Sequence, residues 1–353
     1  MLTKEEFAAQ AERGAAMLSA MPVTRSILYF LADQLKKGEP DWWKKTSKAW
    51  EKRKFVAWSE AWSLFVTCLH FEALNNEDHP LTSYFPSCGG TPEADISTAL
   101  GRFLAEPSAS FFENLRKGHR RYHDPALAGS WRMVADGYFD EIELPFHLVE
   151  VNAGAGLDIA ADMINRGHAP FDSDLIQARI GLDPEPLLVQ DIIHRRWLAA
   201  SVFPDLTAVV SGLGDAVEKL ADLQRKDTNF VQLVKCDAVL APKFIAKNIP
   251  SDDPDIGLMV FNILTTGKMT DAELADYVGG LSKMMAPWGD RAVWFEAETV
   301  RGELYSTTIQ YGVGRVVGDG FQKVNFGWVD LSSGRAEIDV KFAVDWLNRC
   351  RKK

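Results

Sequence analysis

The sequence predicts a two-part protein, with a helical N-terminal region followed by an α/β domain built on a doubly wound sheet. Three observations support this prediction. Apolar residues recur at helical spacing in the first part of the chain, strand and helix signals alternate from about residue 144, and a glycine-rich turn directly follows the first predicted strand. We place the domain boundary so that residues 1–142 are helical and residues 143–353 form the α/β domain.

Length, charge and cysteine content limit the class of protein. A chain of 353 residues is long enough for two cores, and its net charge of −10 disfavours nucleic acid as a partner. The four cysteines form no CxxC pair, which argues against a metal site and a disulfide framework and favours a reducing compartment. The charged N-terminus does not resemble a signal peptide, and no apolar run has the length of a membrane helix. We therefore expect a cytoplasmic, prokaryote-like protein with neither metal nor membrane contacts; its oligomeric state stays open.

The first three helices are predicted from apolar spacing. In the first helix the pattern comprises Phe7, Ala11, Ala15 and Leu18. Pro22 ends it, and Thr24 is predicted to cap a second helix that ends at Gly38. A third helical stretch begins near Asp41 and carries five tryptophans, at positions 42, 43, 50, 58 and 62.

Residues 42–54, WWKKTSKAWEKRK, mix aromatic and cationic side chains. This composition is typical of a nucleic-acid platform. It is also typical of an amphipathic helix that buries its tryptophans and exposes its lysines, and we prefer this second interpretation because solvated charged faces are common.

Residues 79–95 are rich in proline and glycine and are predicted to form a loop. Helical patterns resume through Phe112 and Leu115, and again through Leu127 and Trp131.

From residue 144 the pattern predicts parallel strands separated by helices. Strands are predicted over residues 146–151, 178–182, 230–234, 256–263 and 292–295, and helices from Gly156, through Trp197, over 214–223 and over 271–285. Residues 305–317 and 324–331 are predicted to form an antiparallel pair joined at 318–320, because no helical pattern separates them.

The glycine-rich turn after the first strand lies where a doubly wound sheet binds its ligand. A dinucleotide fingerprint requires glycine at i, i+2 and i+5, but from position 152 the chain has Asn152, Gly154 and Leu157. The methyltransferase pattern, an acid two residues before i and glycine at i, i+2 and i+4, finds Glu150, Asn152, Gly154 and Gly156. Asn tolerates positive φ and can replace the first glycine. The turn, including Ala153, is therefore a candidate S-adenosylmethionine site.

Acidic and amide side chains follow the next predicted strands. Asp183 ends the second strand, where a carboxylate can accept hydrogen bonds from ribose hydroxyls. Asp237 ends the third strand, where an acid contacts the adenine amine in class I methyltransferases, and Asn262 ends the fourth. For both aspartates the alternative is a helix N-cap, since Asp commonly begins the helix after a strand.

The motifs together resemble a bacterial family of unknown function that has a class I methyltransferase-like core. The resemblance rests on His79-Pro80-Leu81 with Tyr84, Pro86, Gly89 and Gly90, on LVEVNAGAGL at 148–157, on Arg179-Ile180-Gly181-Leu182-Asp183 with Pro186, and on Trp197-Leu198 with Val202 and Pro204. Two departures are Asn152 in place of the first glycine and residues 119–130 in place of a polar QTNE-like segment.

The resemblance implies S-adenosylmethionine as cofactor and methyl transfer to an unidentified, small-molecule acceptor. Candidates for acceptor-side catalysis are His79, Tyr84, His123 with Asp124, Asn262 and Glu298; the alternatives are structural histidines and a solvated loop acid. Two other classes stay open, a nicotinamide-dependent oxidoreductase and a non-catalytic cofactor-binding or interaction protein, since fold alone does not decide function. We expect the loop at 79–95 to cover the carboxyl edge of the sheet near Gly154, because a reactive sulfonium benefits from exclusion of water.

Overall fold

The chain divides into two compact units. A computed structural model describes residues 2–91, 95–121, 123, 127–164, 173–300, 308–318, 320–330 and 333–351. Unit 1 comprises Met1–Pro125 and Gln190–Asp215, and unit 2 comprises Ala126–Val189 and Ala216–Lys353.

The helices are numbered along the chain. They are α1 Lys4–Met17, α2 Pro22–Lys37, α3 Asp41–Ala49, α4 Glu60–Asn75, α5 Ser97–Ala105, α6 Ala109–Lys117, α7 Arg132–Ala135, α8 Ala161–Ile164, α9 Ile192–Ala200, α10 Thr207–Lys226, α11 Ala241–Asn248, α12 Asp271–Met285 and α13 Val340–Arg351. The N-terminal part of the chain is helical, as predicted.

Unit 1 has an aromatic core. The ring of Phe7 lies 5.2 Å from that of Trp43 and 5.6 Å from that of Trp50, and Phe65 packs against Phe111 at 5.3 Å. Trp42, Trp43 and Trp50 are all at most 5 % exposed. The tryptophans of the 42–54 segment therefore lie inward, as the amphipathic interpretation requires.

The start of α2 differs from its prediction. Pro22 is the first residue of the helix, and Thr24 lies inside it instead of capping it. The carboxylate of Asp205 replaces the cap: it accepts hydrogen bonds from the backbone N–H groups of Val23 (2.8 Å) and Thr24 (2.9 Å) and from the Thr24 hydroxyl (2.6 Å). A carboxylate suits this position because it satisfies free N–H groups and complements the helix dipole. The predicted third helix is also divided, since α3 ends at Ala49 and α4 begins at Glu60.

Unit 2 contains a mixed, mostly parallel sheet of eight strands. They are β1 Phe146–Val151, β2 Ile176–Asp183, β3 Gln232–Lys235, β4 Gly257–Ile263, β5 Ala292–Thr299, β6 Thr308–Val317, β7 Gly320–Asp330 and β8 Ala336–Ile338. Their order is β3-β2-β1-β4-β5-β6-β7-β8. The pairs from β3 to β5 are parallel, and β6, β7 and β8 add in antiparallel orientation. The strand order changes direction between β1 and β4, which creates a crevice at their carboxyl ends.

Both faces of this sheet are covered. On one face Val149 and Val260 pack in a buried cluster with Ile245 of α11 and Leu281 of α12. On the other face Phe146 stacks on Phe139 at 4.3 Å and Phe261 contacts Trp131 at 5.9 Å. Parallel strands buried on both faces are mostly apolar along their length, which is why the sequence pattern predicts β4 and also β1, despite its buried Glu150.

Most predicted strands are confirmed within a few residues, and the predicted antiparallel pair is present as β6 and β7. The predicted helix from Gly156 is wrong: turns continue to Ala160, and α8 begins at Ala161. The reason is local, since Gly156 has φ +78° and the Ile159 N–H donates to the Glu150 carboxylate at 3.1 Å instead of to a helical carbonyl. Asp319, in the predicted β6–β7 turn, lies outside the described residues.

Among the described residues, no helix combines the length and apolar character needed to cross a membrane.

Candidate functional site

The candidate site lies in unit 2 at the carboxyl ends of β1, β2 and β4. Val151, the last residue of β1, is in register with Leu182 of β2 and with Asn262 of β4. The glycine-rich turn therefore begins between the residues that end the two neighbouring strands. This arrangement brings the predicted cofactor residues of β1, β2 and β4 to one edge of the sheet.

The turn after β1 has a left-handed backbone at all three positions of the predicted pattern. The φ angles are +68° at Asn152, +57° at Gly154 and +78° at Gly156. Asn152 therefore adopts the conformation that a glycine would adopt, as the substitution requires. The N–H groups of Asn152 and Ala153 both donate to the Leu182 carbonyl, at 2.7 and 3.1 Å, which fixes the start of the turn on β2.

Asp183 holds the middle of this turn. Its side chain is fully buried, one carboxylate oxygen accepts from the Gly154 N–H at 2.9 Å, and the other accepts from the Glu185 N–H at 2.8 Å. No helix begins here, so the N-cap alternative does not describe Asp183. The carboxylate instead joins the end of β2 to the glycine turn.

Glu150 lies buried below the turn. Its carboxylate accepts from the Ile159 N–H, and burial, with the nearby Asp158 carboxylate, raises the Glu150 pKa well above its usual value. A buried carboxyl of this kind fixes the exit of the turn.

Asn262, at the end of β4, is fully buried in a polar network. Its amide oxygen accepts from the Trp294 indole N–H at 2.8 Å and from the Tyr277 hydroxyl at 3.2 Å, and its amide nitrogen donates to Glu298 at 3.0 Å. Two donors facing the oxygen fix the amide orientation.

Glu298 holds the turn after β4. Its carboxylate accepts the N–H groups of Thr265, Thr266 (2.7 Å) and Gly267 (3.2 Å) in addition to the Asn262 amide. Burial and the neighbouring Glu296 raise the Glu298 pKa to about 7 despite these hydrogen bonds. Glu298 is therefore a buried structural acceptor, in contrast to the solvated loop acid of the alternative interpretation.

Sequence reasoning missed the residues that surround Glu298. Glu296 is buried and paired with Lys323 of β7, and burial raises the Glu296 pKa while Lys323 opposes that shift. Tyr277 and Trp294, which donate to the Asn262 amide oxygen, were likewise not predicted as site residues. The one available signal was the alternation of acids in FEAET of β5, which places Glu296 and Glu298 on the same face of that strand.

Asp237 lies apart from these contacts, two residues beyond the end of β3. It is exposed, and its carboxylate accepts from the Val239 N–H at 3.0 Å as the N-cap of a short 3₁₀ turn. The capping alternative therefore describes its contact.

Three catalytic candidates lie in unit 1. His79 is buried against Phe103, with ring centroids 4.8 Å apart, and its Nδ1 accepts from the Leu81 N–H at 3.2 Å. Tyr84 is half-buried in a 3₁₀ turn, and His123 is buried. Asp124, predicted to accompany His123, lies outside the described residues.

The 79–95 loop is fastened by a contact that sequence reasoning missed. His70 is fully buried, and its Nδ1 donates to the Val202 carbonyl at 3.0 Å, so Nε2 accepts from the Ser87 hydroxyl at 2.7 Å. Burial lowers the His70 pKa to about 4, which keeps the ring neutral. This pair joins the loop to the segment after α9 inside unit 1.

Comparison with known proteins identifies the family. No curated protein matches the chain. The model of the family DUF2332, described as uncharacterized protein conserved in bacteria, matches residues 4–166 and 164–327. These ranges contain the helical part, the glycine turn and the sheet from β1 to β6, and the chain therefore belongs to this bacterial family.

Proposed function

We propose that this protein is an S-adenosylmethionine-dependent methyltransferase that acts on a small-molecule acceptor. The observation that supports this most strongly is the left-handed backbone at Asn152, Gly154 and Gly156, directly after β1. These are the three positions at which the methyltransferase pattern has glycine, and they lie where the strand order reverses. The parallel order β3-β2-β1-β4-β5 supports the same proposal, because it is the order of a class I methyltransferase core.

The turn fits a ligand that approaches the backbone closely. Gly154 has no side chain to hinder that approach, and the carboxylate of Asp183 lies next to the turn at the end of β2. At Gly156 a side chain is excluded by packing, since a Cβ there would lie 2.9 Å from Val231. In this proposal a ribose hydroxyl would donate to the Asp183 carboxylate, which also accepts the Gly154 and Glu185 N–H groups. Asp237 would contact the adenine end at the edge of β3.

The bound cofactor would supply an electrophilic methyl group on a sulfonium, so the main tasks of the protein are to hold the acceptor in line and to exclude water. In this proposal Asn262 and Glu298 are positioning residues: their contacts fix the turn after β4 against β1 and β5. Neither is a good general base, because the Glu298 carboxylate already accepts four hydrogen bonds and Asn262 has no basic group.

One observation favours a second candidate function, ligand binding without catalysis. Asp183 is fully buried and both its oxygens hold backbone N–H groups of this unit, which is sufficient for a purely structural role. The oxidoreductase alternative has no comparable support, because Asn152 and Leu157 occupy two of the three dinucleotide glycine positions.

Calorimetric titration of the purified chain tests the proposal. We expect S-adenosylmethionine and S-adenosylhomocysteine to bind and NADH to bind far more weakly. Gly154→Ala should weaken the binding of S-adenosylhomocysteine by about tenfold, because in this proposal the ligand approaches the backbone where the added methyl group would lie. Gly279→Ala is the matched control: Gly279 lies in α12 of the same unit, with nothing within 4 Å of the added Cβ.

Tight binding of NADH with no binding of either sulfur compound would overturn the proposal. Equal affinities of the wild type and a well-folded Gly154→Ala variant for S-adenosylhomocysteine would show that the ligand does not bind at this turn.

A further inference from the structure

Unit 1 contains a groove of about 590 Å³ beside the end of α3 and the length of α6. It is lined by residues of both helices and of the turn after α3, among them Lys45, Lys48, Lys52, Arg53, Phe112 and Arg116. The volume lies within the range of about 300–1,000 Å³ that is typical of small-molecule sites.

The groove is positively charged although the chain is not. Five cationic and two acidic side chains line it, for a local net charge of +3 against −10 for the whole chain. Arg116 is neutralised by Glu113, with N–O distances of 2.6 and 2.8 Å. Lys48 and Lys52 are exposed and form no ion pair or hydrogen bond with any residue that the structure describes. Two ammonium groups are therefore available to an anion.

The floor of the groove is apolar and carries one aromatic ring. Phe112 is half-buried, the Lys45 ammonium lies 5.7 Å from its ring centre, and Ala49 and Ala109 flank it. The three tryptophans of the neighbouring segment are buried in the core, so they offer no stacking surface to a ligand.

The walls of the groove are fixed to each other. Arg53 donates to the carbonyls of Leu115 and Arg116, both at 3.1 Å, and the Trp50 indole N–H donates to the Leu115 carbonyl at 3.0 Å. These bonds satisfy free carbonyls at the end of α6 and hold that helix against the turn after α3. The spacing between Phe112 and the lysines is thus set by the fold.

We propose that this groove binds a small organic polyanion with a planar ring, of the chemical class of a nucleoside polyphosphate. The ring would stack on Phe112, and the phosphate groups would accept hydrogen bonds from Lys48 and Lys52, since an ammonium is a common point-charge partner of phosphate. Lys45, whose ammonium lies near the same ring, would add a third cation for the phosphate groups.

A small anion fits these observations better than a nucleic-acid strand does. A strand needs successive aromatic platforms and a long basic track, whereas the groove offers one ring and lies on a chain of net charge −10.

Calorimetry on the full chain, without divalent cations, tests the proposal with adenosine triphosphate, adenosine, inorganic tripolyphosphate and a single-stranded oligothymidylate. We expect adenosine triphosphate to bind more tightly than adenosine or tripolyphosphate, and the affinity to fall as salt is raised. Lys52→Glu should weaken it roughly tenfold, because an attractive charged contact becomes repulsive. Phe112→Leu should weaken it less and should reduce the advantage over tripolyphosphate.

Lys54→Glu is the matched control, since Lys54 is exposed two residues away, makes the same change in net charge and does not line the groove. The affinity of the Lys54→Glu variant for adenosine triphosphate should stay within about twofold of that of the wild type, because an exposed charge outside the site is screened. Absence of adenosine triphosphate binding, or equal losses in Lys52→Glu and Lys54→Glu, would overturn the proposal. Tighter binding of the oligonucleotide that depends on Lys52 would also overturn it and identify a nucleic-acid surface.

Discussion

The turn after β1 and the turn after β4 have similar backbones but are held by different hydrogen bonds. Both leave adjacent parallel strands at the same sheet edge, both contain a non-glycine residue with positive φ (Asn152, +68°, and Leu264, +51°), and each is held by a carboxylate from the next strand in the sheet. Asp183 of β2 holds the first turn through the Gly154 N–H. Glu298 of β5 holds the second through three consecutive N–H groups.

The two turns differ in the side chains that surround them. The turn after β4 is a closed network in which the carboxylate and the Asn262 amide face each other and the surrounding donors. The turn after β1 has two glycines, and the Asp183 carboxylate that holds it accepts the N–H groups of Gly154 and Glu185. The turn after β4 is therefore a rigid support, and we place the proposed cofactor site at the turn after β1 because the three glycine-pattern positions with positive φ lie there.

The largest expected effect is the loss of folding stability when either of the two carboxylates is removed, and the loss should be greater for Glu298 than for Asp183. Glu298→Ala leaves four donors unsatisfied, three backbone N–H groups and the Asn262 amide, and should lower the free energy of unfolding by about 4 kcal/mol at roughly 1 kcal/mol for each donor. Asp183→Ala removes the acceptor of the Gly154 and Glu185 N–H groups, and the loss of these two bonds should cost about 2 kcal/mol. Urea unfolding at pH 6 measures both, and a larger loss for Asp183→Ala would reverse the comparison.

The contribution of Glu298 to folding stability should depend on pH. The folded pKa of Glu298 is about 7, above the usual 4.5, so the fold prefers the protonated form. Its contribution is therefore favourable below pH 4.5 and is lost as the pH rises through 7, a change of roughly 3 kcal/mol at 1.36 kcal/mol per pKa unit.

The substitution Glu298→Gln introduces a side chain that does not ionise, so it removes this pH-dependent contribution to the free energy of unfolding. The difference in unfolding free energy between Glu298→Gln and wild type should therefore shift in favour of the variant from pH 5 to pH 8. Parallel pH profiles of unfolding free energy for the two proteins would show that burial does not raise the pKa of Glu298.

A smaller effect is expected at Asn152. Asn152→Gly should leave the free energy of unfolding within about 0.5 kcal/mol of wild type, since glycine adopts φ +68° without strain. Asn152→Ala should lower it by about 1 kcal/mol, because alanine lacks the tolerance of asparagine for the left-handed region. Thermal unfolding of both variants measures this, and an unstrained Ala variant would mean that the turn does not require this conformation.

The sequence was sufficient for the parts of the fold that depend on local patterns. β1 and β4 are mostly apolar, and α12 has a capping box at Thr270 and Glu273, so local patterns specify where these elements lie. The glycine turn was recognised because residue types at fixed spacing specify its backbone.

The remaining features depend on partners that are distant in sequence. The carboxylate that caps α2 comes from Asp205, 181 residues beyond Thr24, and Glu296 meets Lys323 only through the register of β5, β6 and β7. Asn262 was predicted as an acceptor-side residue, but its contacts with Tyr277 and Trp294 arise from packing that no local pattern encodes.

A crystal structure of the full chain with S-adenosylhomocysteine at saturating concentration tests the central claim most directly. We predict electron density for the ligand over the carboxyl ends of β1 and β4, against the backbone at Asn152–Gly156, with the ribose hydroxyls on Asp183. The turn after β4 should be unchanged, because Glu298 and Asn262 already hold it. Ligand density elsewhere, or an empty β1 turn at saturation, would contradict the account.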